Sequence, residues 1–167
     1  MQRKRKLFLL QVVFWALLSV SVLIMPIMAE MWLESIYTIP IETNNTPMII
    51  NGILFWGSLL GLICCSIIFN KERRKSSFTV NKAEGYDRWG LIHFRQNRTA
   101  LIADLMMCVS LIGFVILCVA GNPIPLLTFM MLAVFIFSFG MHCLYNGAGY
   151  IYVYQYDEKH KTKDKKR

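Results

Sequence analysis

The chain has 167 residues, 56% of them hydrophobic and only 17% charged, with a mean hydropathy of +0.46 and a formal net charge of +8. Soluble domains are usually about half apolar and about a quarter charged, and here the apolar excess is gathered into four long runs. That pattern excludes an ordinary water-soluble enzyme domain and directs the positive charge toward a lipid surface, so neither a nucleic-acid partner nor a cofactor is expected.

The first run, residues 7–28, follows "RKRK" and has Gln11 as its one strongly polar side chain. Crossing a hydrocarbon core takes roughly 20 apolar residues, so the run predicts a transmembrane helix. "PIMAE" at its end has the outline of a signal-peptidase site. The run, however, is longer than the roughly 7–15 residues of a signal h-region, and Ile27 is a poor residue three places before a cut. The expectation is an uncleaved anchor helix. An outer loop through Pro47 follows, with Trp32 and Tyr37 suited to the interface.

The second run, residues 48–69, carries Gly57, Gly61 and Cys65 at intervals of four. Small residues at that spacing share one helical face and let two helices approach closely in lipid, so these three form the candidate helix-packing face. Residues 70–99 make a basic loop, and residues 100–120 make the third span, with Asp104 as the one acidic side chain inside a span. Asp104 lies six residues after Arg98, about 9 Å along the axis, within reach of a snorkelling arginine.

"GNPIP" then turns the chain so tightly that spans three and four must be antiparallel neighbours. Pro125 suits an early helix position, where a missing N–H costs nothing. The fourth span, residues 124–145, contains His142 and Cys143 and ends at Asn146-Gly147. Beyond it Tyr150, Tyr152, Tyr154 and Tyr156 suggest an interfacial aromatic belt, followed by a basic tail over residues 157–167.

The 18 lysines and arginines all fall on one side of this four-span plan, in the N-terminal segment, the middle loop and the tail. The other side carries Glu30, Glu34 and Glu42. By the positive-inside rule both termini and residues 70–99 face the cytosol. The fold class is therefore an all-α membrane protein with four transmembrane helices and both termini cytosolic.

Gln11, Asp104 and His142 should lie at similar depth near the cytosolic face. They are the candidate structural polar layer, with interhelical contacts worth about 0.6–2 kcal/mol each. Adjacent side chains point about 100° apart on a helix, so His142 and Cys143 do not chelate one ion together. The five cysteines all lie within spans, with no CxxC spacing. No catalytic, cofactor-binding or metal residues are expected. A proton relay through Asp104 and His142 has suitable residue types, but the outer halves of the spans offer only Asn51, Thr128, Ser19 and Ser21 to continue it.

Two stretches carry a resemblance. "WGLIHFRQNRTALIADLMMCVSLIGF" places Gly90, Phe94, Asn97, Arg98, Ala100, Ile102, Ala103 and Asp104 on one pattern. "FSFGMHCLYNGAGYIYV" places Ser138, Met141, His142, Cys143, Asn146, Gly147 and Tyr150 on a second. Together they resemble a family of small bacterial four-span membrane proteins to which no activity is assigned. Its members have "GKNY" where this chain has "GAGY". The resemblance implies a bacterial cytoplasmic membrane and transfers no activity.

The expected function is a non-enzymatic accessory, immunity or regulatory membrane protein acting through helix contacts. Its partners would be the bilayer, anionic lipid head groups at the cytosolic face, and a membrane-protein partner or further copies of itself. The alternative is a small oligomeric transporter or channel using Asp104 and His142.

Overall fold

A computed structural model describes residues 2–37, 45–75, 98–122 and 124–145, together with Tyr150 and Val153. Residues 76–97 of the basic loop, the Asn146-Gly147 step, three of the four belt tyrosines, the tail over 157–167 and the side chains of Trp32 and Tyr37 lie outside the described residues.

Each apolar run forms one helix: α1 (Gln2–Tyr37), α2 (Thr46–Lys75), α3 (Arg98–Val119) and α4 (Pro125–Tyr145). All four are long and apolar enough to cross a membrane. The shortest, α4, has 21 residues and so spans about 31 Å. Two helices outrun the apolar runs that nucleate them. α1 begins at Gln2 and continues to Tyr37, and α2 runs on through "KERRK". Lysine, arginine, glutamate and methionine are good helix formers, so the backbone ladder has no reason to stop at the edge of the hydrocarbon. The connection between α1 and α2 is accordingly shorter than the apolar pattern implies, residues 38–45.

Pro26 lies inside α1. Its ring removes the bond that residue 26 would donate to the Val22 carbonyl. One position earlier, the Ser21 carbonyl accepts a hydrogen bond from Asn51 Nδ2 on α2, at 3.2 Å. Satisfying backbone groups near a proline from a neighbouring helix is how such breaks are tolerated in lipid.

α1 packs against α2 on one side and α4 on the other; α4 also packs against α3, whereas α2 and α3 scarcely meet. The spatial order is therefore α2–α1–α4–α3. Every adjacent pair is antiparallel. Gln11 meets Ser66 between α1 and α2, Phe8 meets Tyr145 between α1 and α4, and Asp104 meets His142 between α3 and α4. One end of the molecule thus gathers the start of α1, the end of α2, the start of α3 and the end of α4. All nine described cations lie at this end: four on α1, four on α2 and Arg98 on α3. Glu30 lies at the other end.

The two central contacts are made over glycine. A Cβ on Gly140 of α4 would stand 2.3 Å from Trp15 Cδ2, and one on Gly61 of α2 would stand 2.5 Å from the Phe14 ring. Phe14 and Trp15 are consecutive on α1 and so point to different sides, one toward α2 and one toward α4. Away from these contacts the helices present large apolar side chains outward, as at Ile53, Trp56, Leu60 and Ile67 on α2 and Leu105 and Ile112 on α3. Such outward faces belong to lipid or to other transmembrane helices.

α3 ends in a Schellman motif. Asn122 N–H donates to the Leu117 carbonyl at 2.9 Å and Gly121 N–H to the Cys118 carbonyl at 3.2 Å. Gly121 takes φ 82° and Asn122 φ 55°, left-handed values that glycine and asparagine tolerate best. Asn122 then joins the next helix: its Oδ1 accepts the Thr128 hydroxyl at 2.6 Å. Pro125 is the first residue of α4, where its missing N–H has no helical partner to lose.

Candidate functional site

At the cationic end, α3 turns Ala100, Ala103 and Asp104 toward its neighbour, all three buried. The two alanines bring the α3 backbone close to α4, so the short aspartate side chain reaches across. Asp104 Oδ1 is hydrogen-bonded to His142 Nδ1. With the carboxylate ionised, Nδ1 carries the shared proton and the bond fixes the orientation of the ring. The partner of Asp104 is thus an imidazole from a different helix, rather than Arg98 one and a half turns away on its own.

Gln11 is only 4% exposed, and it bonds elsewhere. Its side-chain amide donor, Nε2, reaches Ser66 Oγ on α2 at 3.2 Å. The candidate polar layer is therefore two links on opposite sides of α1 and α4: Gln11 to Ser66, and Asp104 to His142. Of the candidate packing face, Gly61 receives the Phe14 ring and Cys65 is buried. A Cβ on Gly57 would meet nothing within 4 Å. The buried stripe of α2 runs Ser58, Leu62, Cys65, Phe69.

Beside the Gln11–Ser66 link, α1, α2 and α4 line a half-open recess of about 150 Å³. Phe8 and Gln11 of α1, Ser66 and Arg73 of α2, and Cys143 and Leu144 of α4 contribute to its wall. An aromatic and aliphatic cluster stands beside it. Phe8, Phe69 and Val153 are buried together, with Tyr145 and Tyr150 against them. The Phe8 and Tyr145 rings meet edge to face at 5.3 Å. Val153, beyond the end of α4, is 1% exposed in this cluster.

Hydroxyls inside the helices satisfy themselves locally. Ser21, Ser58 and Ser110 each donate to a carbonyl one turn back. Among the described residues, three buried polar atoms have no hydrogen-bond partner: Gln11 Oε1, Asn51 Oδ1 and Ser138 Oγ. No three histidine, cysteine, aspartate or glutamate side chains converge among the described residues, so the Asp104–His142 pair can hold and share a proton but offers a metal ion only two donors.

Ser66 stands outside every expected role, and Arg73 is expected only as one of the basic loop's cations, facing anionic lipid head groups. Ser66 follows Cys64-Cys65 in an apolar run and gives no outward sign of a cross-helix bond. Arg73 is one of several cations in "KERRK" and is distinguished only by its side of the helix. No protein-family model, curated protein or solved structure matches the chain.

Proposed function

We propose that this is a non-enzymatic protein of a bacterial cytoplasmic membrane, with the cationic end and both termini in the cytosol, acting as an accessory, immunity or regulatory subunit through helix contacts. The orientation rests on the gathering of the described cations at one end. The bacterial setting rests on the resemblance carried by the Asp104 and His142 motifs.

The observation that carries the contact role is the pair of outer helices. α2 and α3 each pack closely on a single neighbour and scarcely touch one another. Both turn large apolar side chains outward along their length. A neighbouring membrane protein would find two ready helical faces there. The amide nitrogens of Gln11 and Asn51 and the Asp104–His142 pair meanwhile bond within the chain.

The test is purification from native membranes in mild detergent, with cross-linking and mass spectrometry. One stoichiometric partner, cross-linked through α2 or α3, is the expected result. Recovery of the chain as a discrete homo-oligomer with no partner overturns it. That outcome favours the second reading, a small oligomeric transporter or channel, for which the Asp104–His142 pair is the specific observation. In that case Asp104→Asn abolishes flux while assembly persists.

A further inference from the structure

We propose that α2 is the contact helix of a two-fold dimer of this chain, in which the Trp56 indole of each copy lies over Gly57 of the other. The inference requires only that the helices span a bilayer. It leaves α3 to the partner protein proposed above, so either reading can fail alone.

Three observations meet on the outer side of α2. First, Gly57 is exposed, and a Cβ there would meet nothing within 4 Å. Glycine lowers helix stability relative to alanine. Gly61, Gly113 and Gly140 offset that loss by admitting Phe14, Met131 and Trp15, whereas Gly57 admits nothing from its own chain. Second, Trp56 beside it is 62% exposed. Its ring meets Phe55 edge to face at 5.5 Å, a contact that braces the indole. Third, Gly57 stands in an exposed seam with Ile53, Leu60, Cys64 and Ile67, at alternating steps of four and three. Two helices wrap around each other left-handed along that spacing.

These features fit a second copy. Copies of one chain insert with the same orientation, so their α2 helices run parallel and Trp56 and Gly57 recur at depths about 1.5 Å apart. A two-fold interface must be complementary to itself, and here the knob and the hole are consecutive residues on one patch. The packing is the one the chain already uses internally, an aromatic ring over glycine. The outward face of α3 has no such hole, because Met131 lies against its one glycine, Gly113. Between Thr46 and Phe69 the helix is about 35 Å long and about 11 Å across. That face offers roughly 400 Å² per copy, about half of what each side of a standard interface buries. The dimer is therefore reversible and held chiefly at the Trp56–Gly57 contact. Past Ile67 the seam meets Lys71 and Arg74, where two copies would oppose like charges, so the two helices diverge at that end.

The experiment uses Cys64, which lies on the seam two turns after Gly57 and so faces its counterpart across the two-fold axis, within bridging distance. The full chain, in native membranes and in liposomes of decreasing protein content, is treated with iodine. Iodine takes two electrons from a pair of thiols, leaving a disulfide, two protons and two iodides. The expected result is a disulfide-linked dimer, lost in Cys64→Ser and kept when Cys108, Cys118 and Cys143 are all replaced by serine. In liposomes Gly57→Ile and Trp56→Ala each weaken the dimer about tenfold or more, while Ile116→Ala on the outward face of α3 leaves it near wild type. A chain monomeric at every protein content, a dimer bridged through Cys108 or Cys118, or an assembly indifferent to both α2 variants overturns the proposal. Should Gly57→Ile fail to fold, Trp56→Ala and the identity of the bridging cysteine still decide. Two copies recovered from native membranes without another protein support the dimer and overturn the partner role; one copy with a partner does the reverse.

Discussion

Gly140 of α4 lies directly beneath the indole of Trp15 on α1: a Cβ at that position would stand 2.3 Å from Cδ2 and 2.4 Å from Cγ of the ring. The contact joins the two central helices, and it works because one partner has no side chain. Backbone approach of this kind stands in for the hydrophobic driving force that helices lack in lipid.

Gly140→Ala should therefore destabilise the fold by about 1–3 kcal/mol, the usual cost of overfilling a packed contact. Gly57→Ala, with open space around it, should stay within about 0.5 kcal/mol of wild type. Unfolding in mixed micelles on titration with SDS measures both. Equal behaviour of the two variants would remove the α1–α4 contact from the account. Partial rescue of Gly140→Ala by Trp15→Leu would locate the strain at that ring.

His142→Ala should cost about 3 kcal/mol, because it takes the imidazole from a carboxylate whose side chain is only 12% exposed. Asp104→Asn retains an oxygen that can accept from Nδ1 and should cost about 1 kcal/mol. Replacing both residues together by leucine should be milder than His142→Ala alone, since no buried charge then remains. The same micelle titration provides the comparison. A double replacement worse than either single change contradicts a pair held for its mutual bond.

The turn between α3 and α4 makes a narrower prediction. Gly121→Ala places a Cβ at φ 82° and should cost about 1 kcal/mol. Thr128→Val removes the hydroxyl that Asn122 accepts, at a cost of about 1 kcal/mol. Both effects should appear in the unfolding of the α3–α4 end. A neutral Gly121→Ala would mean that the turn relaxes freely.

Orientation can be read with cysteine labelling. In a cysteine-free background, Asn45→Cys and Lys75→Cys place single thiols at exposed positions at opposite ends of α2. In intact spheroplasts an impermeant maleimide should label the first and label the second only after the membrane is opened. The reverse pattern would place the cationic end outside and remove the positive-inside argument.

The existence of the four helices was legible because a run of apolar side chains has a length, and that length matches a bilayer. The antiparallel setting of α3 and α4 was legible because "GNPIP" leaves no other path for the chain. Which side of each helix meets its neighbour was not. A helix in water declares its buried face by polar residues on the other side, but these spans are apolar all round, and lipid asks for the same side chains as a packed interior. Hence the Gly57–Gly61 spacing looked like one face, although only Gly61 receives an aromatic ring. Gly140 and Gly113 carried no comparable spacing, yet they lie against Trp15 and Met131. Polar residues fared better: depth alone brought Gln11, Asp104 and His142 to the same end. Depth does not give rotation, so the pairing of Gln11 with Ser66 and of Asp104 with His142 is fixed only by how the helices pack.

The order α2–α1–α4–α3 has a consequence for biosynthesis. Of these four helices, the first made and the last made are the two that sit in the middle. α1 can pair with α2 as soon as both have entered the membrane, but its other flank, with Trp15 exposed, must wait for α4. More than a hundred residues separate the end of α1 from the end of α4, about 5–20 s at ordinary translation rates. Two helical hairpins therefore form in turn, and they can dock only after all four helices have been made. Severing the chain between Lys75 and Arg98 leaves each hairpin whole, so two halves expressed side by side should find one another and rebuild the protein.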